Sequence, residues 1–313
     1  MRVERGLPEP GPRPDGPPAW VTIGNFDGVH LGHRALLDGV LLPAREGGGD
    51  AGVVTFDPHP RCVLQPEHCP PSVTTLDEKA SILEELGVDR LVVLPFDLEM
   101  SKWSADHFCE RLVTAFDLRR LVVGHDFALG HKRQGNIPFL TQWGRERGGF
   151  DVEAIDSVLD GDEPASSTRI RAALADGDVE LAARLMLRPW FIDAEVEHGE
   201  KRGRGVGFPT ANLTIPKGKL LPARGIYATR VRAREQWWEA ATSVGVRPTS
   251  GGEHVTVEPY LLDFDDDLYG ERIRCEFIAR LREERTYATA DELVAQMHVD
   301  VEDTRRLLAA RAQ

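Results

Sequence analysis

Short β-branched and aliphatic runs alternate with longer stretches of helical periodicity across the first three fifths of this chain. Val21-Thr-Ile23 predicts a strand that runs into a turn cluster of Gly24, Asn25, Asp27 and Gly28, after which a helix-compatible segment begins at His30. Ala51–Phe56, Leu91–Leu94 and Leu121–Gly124 predict further strands. Helices are expected at Leu76–Leu86, closed by Gly87, and at Ala105–Phe116, with Ser166–Met186 forming two helices broken near Gly177. Strands alternating with helices imply an α/β domain with a parallel sheet and crossover helices, whose ligands sit beyond the carboxyl ends of the strands.

Beyond Arg188-Pro189 the grammar changes. Short alternating runs at Phe191–Val196, Gly225–Val231, Trp237–Val244, Val255–Asp263 and Ile273–Ala279 are separated by Gly- and Pro-rich turns. That pattern predicts a small antiparallel barrel or curled sheet. Thr289–Ala310 predicts a closing amphipathic helix with Leu293, Met297 and Leu307 on its apolar side. The expected organisation is a mobile Pro-, Gly- and Arg-rich tail over residues 1–18, one domain over 19–187 and a second over 188–313.

Charge and cysteine usage narrow the class. A net charge of −13 argues against a general nucleic-acid binder, so any polyanionic ligand must meet locally clustered cations. Cys62, Cys69, Cys109 and Cys275 form no C-x-x-C pair and read as reduced thiols. No apolar run reaches membrane-span length, and the first residues lack the apolar core of a signal peptide. A cytoplasmic protein with small-molecule partners is expected, a monomer or weak homo-oligomer that uses neither membrane nor nucleic acid.

The strongest chemical signal is Gly24-Asn-Phe-Asp-Gly-Val-His-Leu-Gly-His33. Two imidazoles three residues apart lie on one side of a helix near its N-terminus, where free N–H groups and the helix dipole favour anions. Glycines allow close backbone approach to a phosphate. No Walker-type G-x-x-x-x-G-K-[ST] occurs anywhere in the chain. The bland alternative is a strand–turn–helix with two surface histidines. Ser166-Ser-Thr-Arg-Ile-Arg171 adds hydroxyls at a helix start and arginines in its first turn, either a phosphate cradle or a simple cap with solvated arginines. The polar loop from Gly124 through Asp126 to Asn136 can read a base or flavin edge, or only turn the chain, and Asp57-Pro-His-Pro60 carries less information still.

A second constellation lies in the barrel half. Gly203-Arg-Gly-Val-Gly-Phe-Pro-Thr-Ala-Asn212 is glycine-rich and lacks the P-loop lysine, yet its backbone amides can wrap phosphates. The Thr210 hydroxyl and Asn212 carbonyl are hard oxygen ligands suited to Mg²⁺ on a triphosphate. Glu258 interrupts an otherwise apolar strand and is either a general base or an outward-facing glutamate. Asp263-Phe-Asp-Asp-Asp267 lacks the glycine and glutamate of a calcium loop and reads as a solvated turn.

Together with Thr55-Phe-Asp-Pro-His-Pro60, Leu94-Pro-Phe-Asp97 and Asp126-Phe-Ala-Leu-Gly130, the first-half motifs resemble the adenylyltransferase half of the bifunctional prokaryotic riboflavin kinase/FMN adenylyltransferases. Gly207-Phe-Pro-Thr-Ala-Asn212, Gly225-Ile-Tyr227, Gly245-Val-Arg-Pro-Thr249, Val257-Glu258 through Phe264 and Asp267-Leu-Tyr-Gly270 resemble the kinase module of the same family. The resemblance implies a Rossmann-like nucleotidyltransferase domain followed by a six-stranded riboflavin kinase-like barrel with a terminal helix. It further implies that riboflavin and ATP give FMN, and that FMN and ATP give FAD and pyrophosphate, with Mg²⁺ in attendance. By the same carry-over His30, His33 and Glu258 are catalytic. Gly24, Asn25, Asp27, Gly28, Asp126, Asn136, Ser167, Thr168, Arg169, Arg171, Gly205, Gly207, Thr210, Asn212 and Arg247 bind nucleotide or substrate, Thr210 and Asn212 also holding the metal. His125, Leu129, Ser243, Ser250 and Pro259 depart from the family pattern. Two alternatives keep the folds: one activity degraded, the kinase before the transferase, or a flavin-binding regulatory protein. Intact His30, His33, Thr210 and Glu258 argue against the second.

Overall fold

A computed structural model describes residues 1–197, 208–249 and 252–311, with backbone alone at 247–249 and 252–254. It comprises two compact units, Met1–Ser166 and Ser167–Gln313.

The first unit is built on six parallel strands, β1 (Arg2–Arg5), β2 (Pro18–Ile23), β3 (Asp50–Phe56), β4 (Arg90–Leu94), β5 (Asp117–Gly124) and a last strand at Asp151–Ile155. Helices α1 (Leu31–Gly47), α2 (Pro60–Leu64), α3 (Leu76–Glu85), α4 (Ala105–Ala115) and α5 (Ile137–Trp143) link them. Two small hairpins intervene, β6 (Ala128–Leu129) with β7 (Gly135–Asn136), and β9 (Leu159–Asp160) with β10 (Glu163–Pro164), the last parallel strand being β8. Order across the sheet is β1-β4-β3-β2-β5-β8. Strand order reverses between β3 and β5 on the two sides of β2, and such a reversal opens a crevice at the carboxyl ends of the central strands. Strands covered on both faces read as nearly continuous apolar runs. Leu91, Val92, Val93 and Leu94 of β4 are all buried accordingly. The core joins Val21, Ile23, Val54, Leu94, Phe108, Leu112, Phe116 and Leu121.

Two expectations need correction here. The first residues are not a free tail: β1 pairs in register with β4, Arg2 opposite Arg90 and Arg5 opposite Val93. Arg90 clasps Glu4 at 2.8 Å, and Arg111 of α4 donates to the carbonyls of Leu7 and Pro8, both at 2.9 Å. Long-range arginine contacts, which composition does not report, hold this Pro-rich stretch. The cysteines also differ from the reduced set expected, because α2 and the 3-10 turn at Pro66–His68 fold back and join Cys62 to Cys69 by a disulfide. Cys109 and Cys275 are free and buried, and burial pushes each thiol up to about 12.

The second unit begins with α6 (Ser167–Asp176) and α7 (Val179–Met186), ahead of the boundary expected at 187/188. These helices fold with the barrel: Ala223 donates to the Leu174 carbonyl at 2.9 Å, and Arg280 to that of Asp176 at 3.3 Å. Six antiparallel strands follow, β11 (Trp190–Glu197), β12 (Asn212–Leu213), β13 (Gly225–Ala233), β14 (Gln236–Thr249), β15 (Gly252–Leu261) and β16 (Arg272–Arg282). Their order is β12-β11-β16-β13-β14-β15. The two ends approach through Ala211 N–H, which donates to the Pro259 carbonyl at 2.9 Å, so the sheet is a nearly closed barrel. Pro259 sits on this end strand in unbroken register with Thr242, as a residue lacking an N–H must. Helix α8 (Ala290–Ala310) closes the chain, capped by the Thr289 hydroxyl on the Glu292 N–H at 3.2 Å.

Candidate active sites

In the first unit the histidine motif leaves β2 at Ile23 and enters α1 at Leu31. His30 is the helix cap. Its Nδ1 accepts from the N–H groups of Gly32 at 3.1 Å and His33 at 3.4 Å, while Nδ1 of His33 accepts from the His30 N–H at 3.3 Å. Two imidazoles thus perform the reciprocal capping that Ser and Glu ordinarily share. Because both Nδ1 atoms accept from backbone N–H groups, the hydrogen bonds assign the ring proton of each to Nε2. The rings stack with centroids 3.7 Å apart, and Phe26 packs on His33 at 4.7 Å. Gly32 leaves the His30 ring its place: a Cβ there would stand 3.1 Å from Cε1 of His30, so the ring would have to give by a few tenths of an ångström.

The turn ahead of the histidines is strained and clamped. Phe26 and Val29 have φ of 49° and 40°, unfavourable for residues other than glycine and most of all for a β-branched one. Buried Asp27 supplies the compensation. Its carboxylate accepts from the N–H groups of Val73 (3.2 Å) and Thr74 (3.0 Å) and from the Thr74 hydroxyl (3.3 Å). Gly28, with φ of 82°, donates to that same hydroxyl at 3.1 Å. Asp27 therefore holds the shape of the turn rather than standing open to a ligand. Gly24 lies against the Phe26 ring, 3.2 Å from where a Cβ would be.

The remaining first-half residues fall into two groups. Asp126 is exposed in the loop after β5, its carbonyl accepting from Arg133 at 2.6 Å. Asn136 caps α5, its side-chain oxygen accepting from the Phe139 N–H at 3.1 Å, a structural duty that its sequence context did not announce. Ser167, Thr168, Arg169 and Arg171 occupy the first turn and a half of α6, in the second unit, with Thr168 exposed and both arginines half-buried.

In the second unit, alternate residues of three strands face α8. Ile226 of β13, Ala241 and Ser243 of β14, and Glu258 and Tyr260 of β15 share one side of the sheet, as a two-residue period demands. Leu293, Met297 and Val301, four apart along α8, cover them, and a cavity of about 390 Å³ remains between. That volume is within the usual range for a small-molecule site. At its edge the Thr210 hydroxyl donates to Oε2 of Glu258 at 3.4 Å, and the Phe208 ring packs on Tyr260 and His298 at about 5 Å. A smaller cavity of about 50 Å³ lies across Thr210, bounded by Pro209, Ala211, Phe264 and Asp266–Tyr269. Thr210 lies two residues ahead of β12, whose first residue is Asn212. Gly205, Gly207 and the Arg247 side chain lie outside the described residues.

Two features escaped sequence reading. Arg282 makes a bidentate pair with Asp300, at 2.8 and 2.7 Å, and both line the large cavity. Hydrogen bonding to Asp300, with its charge added, pushes the Arg282 pKa upward against the cost of burial. Such a pair between β16 and α8 has no local signature. The acidic run Asp263–Asp267 is an exposed turn, as read, but it carries surface ion pairs that spacing does not announce: Asp263 with Arg305 at 2.8 Å and Asp266 with Arg234.

A parallel sheet with a histidine-capped helix, followed by a barrel with a hydroxyl–carboxylate pair beside an apolar cavity, defines an enzyme with two nucleotide-handling modules. The FAD synthetase family model matches residues 13–169 and the riboflavin kinase model residues 186–308. A bifunctional riboflavin kinase/FMN adenylyltransferase of Pseudomonas fluorescens is 40% identical over 315 residues, covering 100% of this chain and 99% of that protein. The protein of the same name from Escherichia coli K12 is 37% identical over 90% of each. A solved structure described as a macrolide-efflux protein from Streptococcus pneumoniae is 29% identical with a TM-score of 0.88, covering 97% of this chain and 99% of that one. Among the described residues no helix is long and apolar enough to cross a membrane. The chain belongs to the bifunctional riboflavin kinase/FMN adenylyltransferase family.

Proposed function

We propose that the second unit phosphorylates riboflavin to FMN and that the first transfers an adenylyl group from ATP to FMN, giving FAD and pyrophosphate. The observation that carries this reading is the Thr210–Glu258 pair at the mouth of an apolar cavity, in a unit separate from the stacked His30–His33 pair. A hydroxyl must lose its proton to become a phosphoryl acceptor, whereas the phosphate of FMN is already an anion.

For the kinase step, the flavin ring is assigned to the cavity under α8, between Tyr260 and the Leu293–Met297 face. Glu258 takes the proton of the ribityl 5′-hydroxyl as its oxygen bonds to the γ-phosphorus of ATP and ADP leaves. Thr210 orients the carboxylate through its 3.4 Å hydrogen bond. Gly205, Gly207 and Arg247 are assigned to ATP. The donor set fits Mg²⁺, since the Thr210 hydroxyl and the Asn212 amide oxygen are both hard oxygens. When bound, the ion neutralises charge on the ATP phosphates.

For the adenylyl step, an FMN phosphate oxygen attacks the α-phosphorus of ATP and the bond to pyrophosphate breaks. No protein nucleophile is needed, so catalysis is positioning plus charge stabilisation. The Nε2–H groups of His30 and His33 donate to the phosphate oxygens as negative charge shifts onto pyrophosphate. Gly24 and Asn25 are assigned to the triphosphate. Ser167, Thr168, Arg169 and Arg171 are assigned to the triphosphate by their match to the family's motif. Asp126 and Asn136 are assigned to substrate. We place the enzyme in the cytoplasm, where ATP is supplied, with riboflavin, FMN and ATP as partners.

The test is direct. The protein is incubated with riboflavin, ATP and Mg²⁺ and the flavins are separated by chromatography. Successive appearance of FMN and FAD is expected; FMN alone removes the transferase assignment, and neither product leaves a flavin-binding protein.

A further inference from the structure

Lys79, on the first turn of α3, is only 7% exposed, which is rare for a lysine without a close carboxylate. Among the described residues its ammonium makes one hydrogen bond, to the Thr55 hydroxyl at 3.3 Å, although it carries three protons. Thr55 is fully buried near the carboxyl end of β3 and donates in turn to the Asn25 carbonyl at 3.1 Å. Asn25 opens the turn that delivers His30 to its capping position, and its own side-chain oxygen is buried without a hydrogen-bond partner among the described residues. A relay thus runs from α3 through β3 to the backbone of the histidine turn. Asp27 and Asp57 both act on Lys79 electrostatically, Asp27 being the residue that clamps the same turn to Thr74.

Burial outweighs those carboxylates and lowers the Lys79 pKa below the ordinary lysine value. The sign follows. A base whose pKa falls on folding has its charged form disfavoured by the fold, so at neutral pH the charge costs stability that removal would restore. A buried group that burdens the fold and bonds to a residue holding a strained turn is where stability is traded for activity. Methionine would fill the same space without the charge.

We propose that Lys79 is a positioning residue for adenylyl transfer: its ammonium, acting through Thr55 and the Asn25 carbonyl, fixes the turn that places His30. This rests on the reading of the first unit as the FMN adenylyltransferase. A positioning role for the transition state predicts a loss in kcat with little change in KM.

Full-length Lys79→Met, Lys79→Arg and Thr55→Val are compared with the parent for FAD formation from FMN and ATP, FMN formation from riboflavin, and Tm. Lys79→Met is expected to lower kcat for FAD formation about 10- to 100-fold, a loss typical of small misplacements of reacting groups. KM for FMN and the rate of FMN formation should stay within about threefold, and Tm should not fall. Lys79→Arg should recover much of the lost kcat, and Thr55→Val should share the loss. The proposal is overturned if Lys79→Met retains parental kcat, if its loss tracks a lower Tm and extends to FMN formation, if Lys79→Arg rescues nothing, or if Thr55→Val is silent. Failure of the parent itself to make FAD from supplied FMN refutes the underlying assignment instead.

Discussion

The two units solve the handling of ATP in opposite ways. In the first, backbone N–H donors and imidazole rings are held by one another: two histidines cap a helix and fix each other's tautomer. In the second, a carboxylate stands against a hydroxyl beside an apolar cavity roofed by α8. The difference follows from the acceptor. A phosphate attacks without losing a proton and needs only a well-placed counter-charge; an alcohol needs a base. One chain can therefore join two steps on ATP without sharing a catalytic group, and each step should be separable by a single substitution.

The sharpest break is expected at Glu258. Glu258→Ala should slow FMN formation by about 10² to 10⁴, the usual worth of a positioned base, while FAD formation from supplied FMN continues. Chromatographic flavin profiles check both halves, and an unimpaired kinase would remove the base assignment. His30→Ala should reverse the pattern, lowering FAD formation by about 10²-fold or more because a charge-stabilising donor and a helix cap go together. Equal loss of both activities would count against separate sites. Next comes Asp300→Ala. It leaves Arg282 uncompensated in the cavity wall and should cost about 3 kcal/mol by denaturant unfolding, with a raised KM for riboflavin and adenylyl transfer untouched. The smallest effect is expected from Gly32→Ala, whose methyl would press on His30 at 3.1 Å. A roughly tenfold drop in FAD formation with FMN formation unchanged is anticipated, and full activity would show that the ring has room to move.

How legible this was depended on whether the information is local. The histidine motif spans ten residues, and its glycines, caps and rings all act within that span, so its helix-start role could be read directly. Strand periods of β3, β4 and β5, and the change of grammar near Arg188, gave the parallel sheet and the barrel for the same reason. The N-terminal strand escaped because Arg2–Arg5 has no apolar alternation and is held by pairing with β4 and by Arg90. Asn136 reads from sequence as a substrate contact or as part of a loop that turns the chain, and its capping of the Phe139 N–H appears only in the fold. Lys79 follows Asp77 and Glu78 in what looks like a solvated first turn, and only the tertiary fold buries it. Arg282 and Asp300 meet from different elements, which no spacing rule anticipates. The unit boundary moved to Ser166 because α6 and α7 pack with the barrel, and helical periodicity does not say which sheet a helix will join.

One measurement reaches the central claim. Glu258→Ala and His30→Ala proteins are mixed with riboflavin, ATP and Mg²⁺, beside each variant alone. Independent chemistries require that neither variant alone produce FAD, that His30→Ala accumulate FMN, and that the mixture turn this FMN into FAD. A mixture that accumulates FMN and never yields FAD would contradict the division of labour described above.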